Sequence, residues 1–235
     1  MAYTKDEIDY PSVTTILGVL GKGDALNYWA AGCAVEFIRS HLDIIHENDN
    51  HKINDMMSMA KKAFKEVSGE ALTVGSIVHD MIEQYIKTGK APDTDNDQAQ
   101  NGFLAFLEWE SKNHVRWIQS ELDLFHEGLL YAGRTDAIAE VNGHLYLIDF
   151  KTSKGFYDDY KKQLAAYREA YNYSFGYSIE NIGCLRLDKD TGECEWKDYT
   201  KGADKAFDAF TSLLGFYYKD KKRRLNNNPR AKEQY

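Results

Sequence analysis

The chain has 235 residues, 43% hydrophobic and 13% aromatic, which is enough for one compact domain with a sizeable core. Its net charge of −8 excludes a protein that coats nucleic acid through overall basicity. No apolar run approaches the ~18 residues of a membrane helix. The start, MAYTKDEIDYPS, lacks a secretory apolar core, so a soluble cytoplasmic protein is expected.

Ser12 is a suitable N-cap for a short helix over Val13–Leu20, stopped at Gly21-Lys-Gly23. Asp24 opens a long helix to about His46, with Trp29, Cys33, Phe37, Leu42 and Ile45 tracing its expected buried side. Lys52–Val67 reads as a lysine-rich helix, and Glu70–Thr88 as another, ended by Gly89. His79 and Glu83 fall four residues apart on this second helix, on one face. Asp93–Asp97 lacks the glycine and closing glutamate of a calcium loop and reads as linker plus N-cap. Gln98–Lys112 follows, with Phe103, Phe106, Leu107 and Trp109 as a core stripe.

Val115–Phe125 alternates as a first strand holding Glu121, which reads either as support for a metal site or, by its strand context, as an exposed acid. Leu129–Val141 and Leu145–Phe150 form a hairpin about Asn142-Gly143, a strong turn signal. Side chains two apart on a strand share a face, about 6.6 Å apart, so Asp149 and Lys151 point together while Phe150 turns inward. Asp136 lies on the adjoining strand. Acid-x-Lys occurs five times here, beginning at Glu110, Asp149, Asp159, Glu195 and Asp220. Only the one at Asp149 closes an apolar strand, follows a Gly-x-x-Asp strand and precedes a helix that sets Gln163 and Tyr167 on one face. Ile179–Leu187 and Glu193–Tyr199 form a second hairpin, Asp204–Tyr218 a closing helix, and Lys219–Arg224 a basic run before a frayed tail over 226–235. The result is a single α/β domain over 1–225. It comprises a helical layer over 1–112, a sheet and motif helix over 113–200, and a closing helix over 201–225.

Gly133-Arg-Thr-Asp136, Leu147-Ile-Asp149-Phe-Lys151-Thr-Ser, Gln163-x-x-x-Tyr167 and Gly75-x-x-x-His79 together resemble the RecB-type branch of the PD-(D/E)xK nucleases, with weaker likeness at Ser12–Leu17. The resemblance implies a restriction-endonuclease-like mixed sheet of order α-β-β-β-α-β beneath a helical amino-terminal layer. It implies a metal-dependent DNA exonuclease of low sequence specificity, in a phage or bacterial setting of recombination or repair. One or two Mg²⁺ or Mn²⁺ ions would be held by His79, Asp136, Asp149 and the Phe150 carbonyl. Lys151 would act at the attacking water, steadied by Gln163 and Tyr167. Arg134, Thr152, Ser153, Lys154, Gln163 and Tyr167 would meet the nucleic acid, and Glu83 and Glu121 stand as further candidates. Cys33, Cys184 and Cys194 are one short of the four cysteines that hold an iron–sulfur cluster in some relatives. DNA with single-stranded or free ends is the expected partner, with a recombination or single-strand-binding protein as a further one. A structure-specific endonuclease and an inactivated nucleic-acid-binding module remain as other readings of the same motifs.

Overall fold

The computed structural model describes residues 2–21, 23–176, 178–220 and 234. In chain order the elements are β1 (Ala2–Lys5), β2 (Ile8–Pro11), α1 (Val13–Leu17), α2 (Gly23–Ser40), α3 (Leu42–His46), α4 (Asn50–Ala60), α5 (Ala63–Thr88), α6 (Asp97–Lys112), β3 (Val115–His126), β4 (Tyr131–Val141), β5 (His144–Lys151), α7 (Asp158–Phe175), β6 (Asn181–Leu187), β7 (Cys194–Asp198) and α8 (Ala203–Asp220). Residues 221 onward hold most of the basic run and the expected tail, and apart from 234 they lie outside the described residues.

The contacts group the chain into two compact units. One is Met1–Val19 with Ile77–Tyr235, the other Leu20–Ser76. The apolar stripe of the second unit is weaker than the sequence suggests. Trp29, Leu42 and Ile45, expected to be buried, are exposed, and Cys33 and Phe37 are only half-buried. The expected helix from Asp24 to His46 is also interrupted. The Ser40 hydroxyl donates to the Phe37 carbonyl (2.9 Å) and His41 Nδ1 reaches the same oxygen (2.8 Å), taking an acceptor the helix ladder would use. The boundary expected near Val67 falls instead at Lys61 and Lys62, so α5 begins at Ala63 and runs through Glu70.

In the first unit, β3 to β7 form one sheet in sequence order, with β5 and β6 parallel and every other pair antiparallel. The parallel pair requires a crossover, which α7 supplies. Asn142 and Gly143 both take positive φ, 50° and 82°, as the tight β4–β5 turn demands. Leu164, Ala165, Ala166 and Ala170 of α7 are fully buried with Leu147, Ile182, Phe210 and Leu214, joined by Val13, Ile16 and Leu17 of α1. The small alanines let the helix lie close to the strands. A second, aromatic cluster joins Phe103 and Phe106 of α6 to Phe150 and Trp117, while Trp109 stacks on Trp196 at 5.0 Å. Within it, Glu110 accepts from Trp117 Nε1 (2.5 Å) and the Tyr85 hydroxyl (2.8 Å). One carboxylate thereby ties α5, α6 and β3 together.

Candidate functional site

The β4–β5 ladder ends at Ala137 opposite Ile148. Beyond it the two strands open into a fork. The Thr135 hydroxyl donates to the Ile148 carbonyl (3.3 Å), and Asp136 Oδ2 accepts the Phe150 N–H at 2.6 Å. A side chain thus replaces the backbone rung that would close the sheet here, and Asp136 and Asp149 occupy the mouth of the fork.

Into this mouth α5 brings His79, whose Nδ1 lies 3.6 Å from Asp136 Oδ1. β3 brings Glu121. One ligand atom from each of His79, Glu121 and Asp136 lies within 4.8 Å of the others. Glu121 reaches them through an unusual backbone. Ser120 pairs with Ala137 and Leu122 with Thr135, so Glu121 stands opposite Asp136, and its φ is +50°. A non-glycine residue in that region of a strand is strained, a state held where its surroundings over-determine it. The reading of Glu121 as an exposed strand acid is therefore corrected: its side chain is 22% exposed and belongs to the donor group. Glu83, one helical turn from His79, pairs instead with Lys87.

Asp149, 1% exposed, is set differently. Its Oδ2 lies 2.5 Å from Lys151 Nζ and its Oδ1 accepts from Gln163 Nε2 at 3.0 Å. Gln163 Nε2 also donates to the Tyr167 hydroxyl (3.1 Å). The expected cluster of Asp149, Lys151, Gln163 and Tyr167 is brought together, as is that of His79 with Asp136. Asp149 itself is held by the lysine and the glutamine, while Glu121 completes the donor group. The Phe150 N–H is committed to Asp136.

The charges are strongly interdependent. Burial raises the Asp149 carboxyl to about 6, with Lys151 opposing and Asp136 adding to the rise. Burial alone would raise Asp136 too, but His79 and Lys151 hold it below its usual value. Burial works against the His79 cation, yet Asp136 outweighs it and brings the imidazole to about 9. Glu121 is pushed up to about 7 by burial and by the charges of Asp136 and Glu83. Lys151 is partly buried, which works against its charge, but Asp149 and Asp136 keep it firmly an ammonium. The carboxylates around Glu121 thus hold negative charge that a cation would relieve, and one nitrogen with two carboxylate oxygens is a donor set suited to Mn²⁺ or Mg²⁺.

Gly133 explains how Tyr167 fits. A methyl group added there would overlap the tyrosine ring edge, so only glycine admits the helix at this distance. Gly133→Ala should displace Tyr167 and cost roughly 1–3 kcal/mol as an overpacked site. A thermal melt should show a drop of several degrees, and an unchanged melt would contradict this packing.

Other expected contacts are placed less simply. The Arg134 guanidinium is bound through two nitrogens to Asp123 (2.6 and 2.9 Å) and lies 3.7 Å from Glu121, so its donors are engaged within the sheet. Ser153 Oγ donates to the Gly155 carbonyl (2.9 Å), Thr152 is half-buried, and Lys154 is exposed. Lys162 pairs with Asp159 (3.1 Å), Lys161 donates to the Lys201 carbonyl (2.5 Å), and Arg168 bridges Glu169 and Asp204. Lys162 and Arg168 of α7 are thus paired with neighbouring acids, and Lys161 is held by a backbone carbonyl.

No protein-family profile matches the chain. A solved structure titled "Crystal structure of SSO0001" aligns with 51% of this chain and 62% of its own, at 19% identity and a TM-score of 0.30, too loosely to bear on the fold. No helix among the described residues is long and apolar enough to cross a membrane. The chain is similar to mitochondrial genome maintenance exonuclease 1 of Homo sapiens, 28% identical over an alignment of 134 residues that covers 53% of this chain and 38% of that protein. Over that half of its length, the chain is related to a nuclease.

Proposed function

We propose that this chain is a divalent-metal-dependent deoxyribonuclease of the RecB-type PD-(D/E)xK kind, acting as an exonuclease with little sequence preference. The observation that carries the reading is the forked strand pair, where the His79, Glu121 and Asp136 donors stand beside the Asp149–Lys151–Gln163 cluster. The order α6-β3-β4-β5-α7-β6 supports it, being the α-β-β-β-α-β order of such enzymes. The exonuclease mode is taken from the relative's name, and the phage or bacterial cytoplasmic setting from the motif resemblance.

His79, Glu121 and Asp136 would hold the ion, with Asp149 as a further carboxylate of the same fork. A divalent ion bound there supplies charge relief at the phosphoryl oxygens and a more acidic attacking water. Lys151, fixed by Asp149, directs a partly buried ammonium at a phosphate oxygen or the incoming water. Gln163 holds the second Asp149 oxygen, and Tyr167 holds Gln163, so the lysine's partner cannot rotate away. Contacts of this kind recognise phosphates rather than bases, consistent with low sequence preference.

The test is an end-labelled linear single strand and a covalently closed circle, each incubated with Mg²⁺, Mn²⁺ or EDTA. The linear strand should be digested with either ion, the circle should survive, and EDTA should stop all cleavage. Efficient nicking of the circle would replace the exonuclease reading by the endonuclease one, and cleavage in EDTA would remove the metal requirement.

A further inference from the structure

The loop between β5 and α7 carries aromatic side chains, Phe156 and Tyr157, that none of the roles above uses. Tyr157, the residue before α7, is 56% exposed. Its ring meets Tyr160 edge-on at 5.5 Å, and Lys151 Nζ lies 5.0 Å from the centre of the Tyr160 ring. The Tyr160 hydroxyl donates to Ser153 Oγ (2.8 Å), and Ser153 in turn donates to the Gly155 carbonyl, so the loop is tied down from within. Alongside, Lys197 of β7 lies 5.0 Å from the Phe156 ring centre and 5.3 Å from that of Tyr199.

A single exposed tyrosine is unremarkable on most surfaces. Here it is backed by a second ring that touches the lysine of the candidate site, and exposed lysines flank it. Asp158 and Asp159 stand in the first turn of α7, where acids suit the helix dipole, and Asp159 is already paired with Lys162. With a net charge of −8, the chain gains little long-range attraction for a polyanion. Short-range contacts then matter more for grip, and stacking of a base on an aromatic ring is one that ignores sequence.

We infer that Tyr157 is a stacking seat for an unpaired base next to the phosphate presented to Lys151, with Lys154 and Lys197 meeting the flanking phosphates. The inference rests on the nuclease reading and on the single-stranded or free-ended DNA expected as its partner, and it adds the residue that would seat a base. A paired base has both faces covered by its neighbours and offers none to the ring.

The experiment measures binding by fluorescence anisotropy in EDTA, without turnover, using labelled oligothymidylate, a duplex and an abasic oligomer of equal charge. The proteins are the unaltered chain, Tyr157→Ala and Tyr157→Phe. Tyr157→Ala should weaken binding of the single strand roughly 5- to 150-fold, while Tyr157→Phe keeps it. Binding of the abasic oligomer and of the duplex should not change. Unchanged binding of the single strand by Tyr157→Ala, or an equal loss with the abasic oligomer, would overturn the stacking seat. A normal cleavage rate alongside either result would leave the nuclease reading standing. An unaltered chain that neither binds nor cleaves DNA would remove both.

Discussion

Asp136→Asn should abolish cleavage, with a loss beyond about 10²-fold, since even outer-shell changes at metal sites cost 10–100-fold. The variant isolates charge from structure. An asparagine oxygen can still accept the Phe150 N–H that Asp136 Oδ2 accepts at 2.6 Å, so the fork should keep its shape. What disappears is the anion that faces His79 and stands within 4.8 Å of the Glu121 donor. Of the His79, Glu121 and Asp136 group only one carboxylate and one imidazole remain, with Asp149 already engaged by Lys151 and Gln163, which is weak for a hard divalent ion that prefers several oxygen ligands. Circular dichroism and a thermal melt should match those of the unaltered chain. A well-folded Asp136→Asn protein cleaving at a normal rate would contradict the assignment.

Lys151→Ala is expected to lower kcat by about 10²–10⁴-fold, the usual worth of a positioned proton-handling or charge-stabilising group. KM should change little, because an interaction made mainly in the transition state appears in kcat. Asp149, 1% exposed, would be left with Gln163 as its named partner and should become still harder to ionise. Some loss of thermal stability is therefore expected as well, and it must be separated from the rate effect. Lys151→Arg does so. It keeps the charge, but a planar guanidinium is wider than an ammonium, and this side chain sits between Asp149 at 2.5 Å and the Tyr160 ring at 5.0 Å. Arginine should restore stability in part and rate hardly at all. Single-turnover cleavage by a folded Lys151→Arg protein at a near-normal rate would reduce Lys151 to a structural counter-ion.

Much of this arrangement was legible in the chain because turns fix registers. Asn142-Gly143 sets the β4–β5 register, and counting outward from it puts Asp136 and Asp149 opposite one another. Period-two alternation then turns Phe150 away from Asp149 and Lys151, and helical spacing puts Gln163 and Tyr167 on one face. Glu121 was harder, because the β3–β4 turn carries no comparable signal. Centring that turn between Gly128 and Leu129 would have placed Glu121 opposite Asp136. The backbone strain at Glu121 leaves no mark in residue type, however, since glycine is the residue that advertises positive φ. The engagement of Arg134 by Asp123 was hidden for the same reason: it needs the β3 register. In Leu20–Ser76 the helices themselves were readable but their breaks and buried sides were not. There a side chain at Ser40 or His41 competes for a backbone carbonyl, and Trp29, Leu42 and Ile45 stay exposed.

Whether His79, Glu121 and Asp136 form one cation site is addressed directly by calorimetric titration with Mn²⁺ in the absence of DNA. The unaltered chain should bind the ion, and Glu121→Gln should weaken binding by at least about tenfold while Glu83→Gln leaves it nearly unchanged. Equal affinities for the unaltered chain and Glu121→Gln, or no ion binding at all, would contradict the single site.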